Sequence, residues 1–155
     1  MLTNPSPTRE DVKQVVVDTS GFFAGAAKLG ALLADGFKLI ALDLIIFEFV
    51  KVVDREINLA KQAAKLSRVK TLTRLRDQFP ALLQELEIEL ISPEFSIRDL
   101  KKLYSLTEDK DPGDCMIWLK MQNAGYSSIL TDNTKDWKKL GADVIGIYDK
   151  RSNRK

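Results

Sequence analysis

Four carboxylates stand where they could do chemistry together: Asp18, Glu48, Asp114 and Asp132. Asp18 directly follows Val15, Val16 and Val17, and Asp132 follows Ile129, Leu130 and Thr131. Both runs are short, apolar and β-branched, which is the composition of a buried strand. In open α/β sheets, ligands bind beyond the carboxyl ends of the strands, so two such acids can face one crevice. Each can equally be the cap of the helix that follows it. Glu48 lies among Leu44, Ile45, Ile46, Phe47, Phe49 and Val50, in the first turns of a helix. A carboxylate buried there must be neutralised, paired or bound to a cation. On the other reading Glu48 shares a solvent stripe with Lys51 and Arg55, at i+3 and i+7. Asp114 opens a helix after Asp111, Pro112 and Gly113. The helix dipole favours an acid there, and Asp111 with Asp114 also forms an acidic capping arrangement. Asp136, beside Trp137, is either a support for the site or plain surface.

Like charges raise each other's pKa, so four clustered carboxylates call for a cation. The chain has no histidine and one cysteine. That removes Ser-His-Asp triads, histidine general bases and histidine-ligated zinc. Oxygen donors alone suit Mg²⁺ or Mn²⁺. Such an ion activates water and neutralises charge on a phosphodiester. Cys115 adjoins Asp114 but reads as a small buried side chain rather than a nucleophile. Being alone, it forms no internal disulfide, and the fold needs no oxidising compartment.

The elements that must position these acids alternate along the chain. Strands are expected over residues 14–17, 37–42, 86–91, 127–130 and 143–148. The third alternates Leu86, Ile88 and Leu90 with Glu85, Glu87 and Glu89, so one of its faces is solvated. Helices are expected over 22–34, stopped by Gly36, and from Leu44 past Ala60, capped by Asp43. Residues 59–76 continue as helix, with a break near Ser67 or Thr71, and 77–84 form a short turn of helix around Pro80. Further helices cover 96–105, 112–124 (Pro112 in the first turn, Gly125 closing it) and 134–140. The alternation implies an α/β fold, three-layer α/β/α, with a mainly parallel central sheet.

A length of 155 residues and 45% hydrophobic content suit one domain with a real core. Its expected bounds are 14–149, with a polar leader over 1–13 and a basic tail over 150–155. The leader lacks the marks of a signal or transit peptide. The longest apolar stretch, 39–53, is broken by Asp43, Glu48 and Lys51 and is too short to cross a bilayer. A cytoplasmic protein without a membrane partner is expected. Net charge is +2, so local charge matters more than the total. Residues 57–76 carry basic side chains and no acid, and Lys61, Lys65 and Arg68 would share one face of a continuous helix. That stripe could hold RNA phosphates, or be an ordinary solvated face. Phe22, Phe23 and Trp118 read as core or dimer-contact residues.

The order of the acids resembles the PIN-domain family. Val17-Asp18-Thr19-Ser20 is similar to that family's opening strand end, and Phe47-Glu48-Phe49 to its glutamate element. Asp114-Cys115-Met116-Ile117, leading to Ala124-Gly125, resembles its third acidic element. Ile129-Leu130-Thr131-Asp132 with Asp136-Trp137 resembles the fourth, where the family often has Thr-x-Asp-x-Asp-Phe. The resemblance spans residues 14–148. It implies a metal-dependent endoribonuclease with Mg²⁺ or Mn²⁺ on Asp18, Glu48, Asp114 and Asp132, and RNA as substrate. Members include VapC-type toxins and RNA-processing nucleases, so an antitoxin-type protein partner and a homodimer are implied as well. Asn133 occupies the usual fourth-acid position, and Asp132 lies one residue early. Asp136 then competes with Asp132 for that role, with Thr131 and Asp111 as assisting residues. A catalytically degenerate PIN-like module that binds RNA or a protein partner is the first rival reading. A phospho-acceptor receiver domain is the second. It expects an acidic pair after the first strand, where Asp18 stands alone.

Overall fold

Three apolar runs too short for helices pair side by side and disappear from solvent. The computed structural model describes residues 13–24 and 26–147. Strands β1 (Lys13–Val17), β2 (Phe37–Leu42), β3 (Glu89–Ile91), β4 (Ser128–Thr131) and β5 (Asp143–Gly146) form one sheet in the order β3-β2-β1-β4-β5. Every pairing is parallel. Val15–Val17, Leu39–Leu42, Ile129 and Leu130 have no exposed surface. Strands buried on both faces read as unbroken apolar runs, which is why these three do.

The helices are α1 (Thr19–Ala24), α2 (Ala26–Ala34), α3 (Asp43–Gln62), α4 (Leu66–Glu85), α5 (Ile97–Leu106), α6 (Pro112–Asn123) and α7 (Thr134–Leu140). Right-handed crossovers put α1–α4 on one face of this strand order and α5–α7 on the other. The packing agrees: α1 touches α3, α3 touches α4, α5 touches α6 and α6 touches α7. The result is the expected three-layer α/β fold. Most of the leader and all of the tail lie outside the described residues, as does Tyr148 of the expected last strand. No helix among the described residues is long and apolar enough to cross a membrane.

Several expected boundaries move, each for a local reason. The first helical segment begins at Thr19 rather than Phe22. Gly21 sits so close to β1 that a Cβ there would lie 2.8 Å from Val17 Cγ1. Asp43 is the first residue of α3 and not its cap, which is Leu42. The long helical stretch breaks at Ala63–Lys65, ahead of Ser67, where Ala64 takes a left-handed φ of 55°. The segment around Pro80 is no separate turn, because α4 runs through it. Pro80 faces solvent there, while its neighbour Phe79 stacks on Phe49 at 4.0 Å. The third strand keeps only three residues. Glu87 turns left-handed at φ 52°, and Leu86 packs into the core from the end of α4.

Phe22, Phe49 and Phe79 join α1, α3 and α4 in one buried aromatic cluster, with Phe22 and Phe79 edge to face at 5.2 Å. Phe79→Ala should cost about 3–5 kcal/mol of unfolding free energy. Leu90→Ala, at an exposed position of β3, should stay within about 0.5 kcal/mol. Urea unfolding of the two variants checks this, and equal losses would show that the cluster is not a keystone of the core.

Candidate functional site

The strand order reverses between β1 and β4: the chain proceeds from β1 to β2 on one side and places β4 and β5 on the other. A crevice opens at the carboxyl ends of strands at such a switch point. Asp18 ends β1 there and β4 delivers Thr131 opposite it, since Val17 pairs with Leu130. The Asp18 backbone N–H donates to Leu130 O at 3.0 Å, and the Thr131 hydroxyl donates to Asp18 Oδ2 at 2.8 Å. Asp18 is only 8% exposed.

Thr19 joins the second acid to the first. Its backbone N–H supports the Asp18 carboxylate, and its hydroxyl donates to Glu48 Oε1 at 2.5 Å. Glu48 shares one side of α3 with Lys51 and Arg55, but those two are exposed while Glu48 is half-buried and its carboxylate is held by Thr19. Arg55 instead lies 3.8 Å from Glu56. Asp114 comes from the first turn of α6. Asp111 caps that helix, accepting the Asp114 N–H at 3.1 Å, so the capping arrangement expected for this pair is real.

The electrostatics show which acids share a neighbourhood. Burial pushes the Asp18 carboxyl above its ordinary value. The Thr131 and Thr19 hydrogen bonds oppose this, and the charges of Glu48 and Asp132 add to it. Asp114 is pushed up to about 7, by burial first and then by Asp18, Asp111, Glu48 and Asp136. The fold therefore gathers Asp18, Glu48 and Asp114. Both contenders for the fourth place sit on the rim: Asp132 acts on Asp18, and Asp136 acts on Asp114. Asp132 is exposed, with its N–H donating to Ser20 Oγ at 3.1 Å. Asp136 accepts from Asn133 Nδ2 at 3.1 Å, and the Asn133 N–H donates to Thr131 Oγ1 at 3.0 Å.

The donor set is all oxygen and suits a hard cation. It is not a closed cage. Among the described residues, no group of three or more acidic, cysteine or histidine side chains stands ready to hold a metal ion. Asp18 and Glu48 each direct a carboxylate oxygen to a threonine hydroxyl. Cys115 is buried, and burial pushes its thiol up, which suits a core residue. Phe22 and Trp118 are buried, and Phe23 packs against the core.

Sequence reasoning missed a second polar group on the same edge. Lys120, on α6, is buried, and its Nζ lies 3.1 Å from Asp43 Oδ1 at the end of β2. Asp43 also accepts from Ser92 Oγ at 2.6 Å and from the Leu44 N–H at 2.7 Å. Burial pushes the Asp43 carboxyl up, but these donors and the Lys120 charge hold it below its ordinary value. The signal was present: Lys120 interrupts Ile117-Trp118-Leu119-Met121 as Glu48 interrupts its own apolar run. The basic stripe is corrected. Lys61 lies in the last turn of α3, Lys65 is the N-cap residue of α4 and Arg68 lies in α4, so the break at Ala63–Lys65 separates them and no single helical face carries all three. Arg68 is paired with Glu56 at 3.3 Å. Lys61 lies about 20 Å along the α3 axis from Glu48. No protein-family model, curated protein or solved structure matches the chain.

A carboxyl whose folded pKa is raised makes the folded state bind more protons than the unfolded one. Unfolded, Asp114 ionises near 3.8; folded, it ionises near 7. Stability of the protein in chelator should therefore fall as pH rises through that window. Asp43 and Asp99, both lowered, act below it and in the opposite sense. Thermal midpoints at pH 5 and pH 8 test this, with Asp114→Asn expected to flatten the difference. An unchanged slope in that variant would remove Asp114 as its source.

Proposed function

We propose that the chain is a metal-dependent endoribonuclease of PIN type, acting through Asp18, Glu48 and Asp114. The observation that supports this most is their convergence at the β1/β4 switch point, with Asp114 pushed up to about 7. Carboxylates so placed are stabilised by a bound cation, and the oxygen-only donor set selects Mg²⁺ or Mn²⁺. When bound, that ion supplies an activated water and charge neutralisation on the phosphodiester. The chain's own residues do the positioning. Thr131 orients Asp18 through Oδ2, Thr19 orients Glu48 through Oε1, and Asn133 steadies Asp136. Burial of Asp18 keeps bulk water from competing for its carboxylate. On this reading RNA is the substrate, and Lys61, Lys65 and Arg68 reach it only well away from the cut. An antitoxin-type protein and a second copy of the chain are the protein partners the same reading implies.

Two observations favour a second reading, a PIN-like module that binds RNA or a protein without cutting. Asn133 holds a position where an acid is expected, and the carboxylates do not form a closed ligand set. Incubation with single-stranded and structured RNAs, in Mn²⁺ and in chelator, separates the two readings. Cleavage only in Mn²⁺ supports the nuclease, and binding without cleavage supports the module.

Asp18→Asn keeps the side chain's shape and removes its charge. It should abolish Mn²⁺-dependent cleavage and raise the thermal midpoint in chelator, since a buried repelling carboxylate is gone. Thr131→Val should weaken Mn²⁺ affinity by about 10–100-fold, the usual effect of losing a ligand's hydrogen-bond partner. Asp132→Asn and Asp136→Asn, assayed in parallel, identify the fourth acid by the larger loss. Cleavage at the parent rate by the Asp18→Asn protein would end the nuclease reading of this site.

A further inference from the structure

The core takes Phe22, Phe49 and Phe79 into its aromatic cluster and leaves Phe47 outside, 63% exposed. Phe47 immediately precedes Glu48 in the second turn of α3. That helix starts at the carboxyl edge of the sheet, and helical side chains lean toward their own N-terminus. The Phe47 ring therefore leans toward the edge that carries the acids, about 100° around the helix from Glu48. Lys51, one turn along and exposed, lies between Glu48 and Phe47 in the helical projection. A large exposed ring next to a lysine and a carboxylate cluster has the composition of a single-strand nucleic-acid subsite. Aromatic faces stack on bases regardless of sequence, and cations hold the backbone.

We propose that Phe47 is the stacking platform for an unpaired base beside the cleavage site, with Lys51 on the adjoining phosphate. This deepens the nuclease reading and rests on it: it makes the substrate an RNA that is single-stranded at the site. A paired base is already stacked on its neighbours and offers Phe47 no open face. Val50, also exposed, extends the apolar strip along α3. A second copy of the chain is the other occupant such a strip would suit, and the test includes it.

The experiment uses the full chain in chelator, so binding is read without chemistry. The probes are a labelled oligouridylate and a blunt RNA duplex. Phe47→Ala should weaken oligouridylate binding by about 5–100-fold and leave duplex binding unchanged. Phe47→Trp should restore affinity, and its indole fluorescence should be quenched by the oligouridylate. The native Trp118 and Trp137 are buried and contribute a steady background. Phe47→Leu should not restore affinity. A leucine variant that binds like the parent overturns stacking, as does equal loss on the duplex, or a parent that does not bind oligouridylate. A change in sedimentation of Phe47→Ala without a change in binding assigns the residue to self-association and overturns the proposal too. Failure of the nuclease reading shows separately, as intact oligouridylate binding without Mn²⁺-dependent cleavage.

Discussion

The pairing of β1 with β4 is the constraint on which the rest of the candidate site depends. It brings residues 113 positions apart into contact through the Thr131–Asp18 hydrogen bond. A parallel ladder with helices on both faces leaves the strand ends as the places where the backbone meets solvent. Asp18 stands at one such end yet remains buried, because α1 turns back over it immediately. Its carboxylate must then take donors from what is near, and the Thr19 backbone and Thr131 hydroxyl supply them. Glu48 is drawn into the same set by the other end of Thr19. Two threonines thus organise two acids, one at the end of β1 and one from α3.

Asp43 gives the contrast. It stands at the end of the neighbouring strand, and it has a lysine, a serine and a backbone N–H. Its carboxyl is shifted down where those of Asp18 and Asp114 are shifted up. Adjacent strand ends on one edge therefore have opposite electrostatic character. The β2 end carries a lysine–carboxylate pair that ties α3 to α6, and at the β1/β4 end neighbouring acids raise one another's pKa. Asp43 and Lys120 pair across two elements, while Asp18 and Glu48 are each held by a threonine hydroxyl.

Much of this was legible in the sequence because burial writes itself as composition. The runs at 15–17, 39–42 and 129–130 are apolar without interruption because both their faces are covered, and the sheet follows from them. Glu48 was legible as an acid among apolar residues, and Asp18 and Asp132 as acids at strand ends. What was not legible depends on tertiary partners. Lys120 needed Asp43 from another element before its burial made sense. The break at Ala63–Lys65 carries no glycine or proline to announce it, and Pro80 lies within a helix held by the Phe49–Phe79 stack. The choice between Asp132 and Asp136 is a matter of side-chain direction just past a strand end, where the period-two rule no longer applies.

The long separation between β1 and β4 also bears on the chain while it is being made. Synthesis delivers β1, β2 and β3 with their connecting helices first, and α6 and β4 after them. Pairings between distant segments form late, because the loop between them must close first. A growing chain still on the ribosome can therefore hold Asp18 and Glu48 in an early three-strand unit, but Asp114 and Thr131 are not yet there to finish the acid cluster. The order of translation thus fixes the order of assembly, with Asp18 and Glu48 placed first and the β4 side of the crevice added only when Thr131 reaches Asp18.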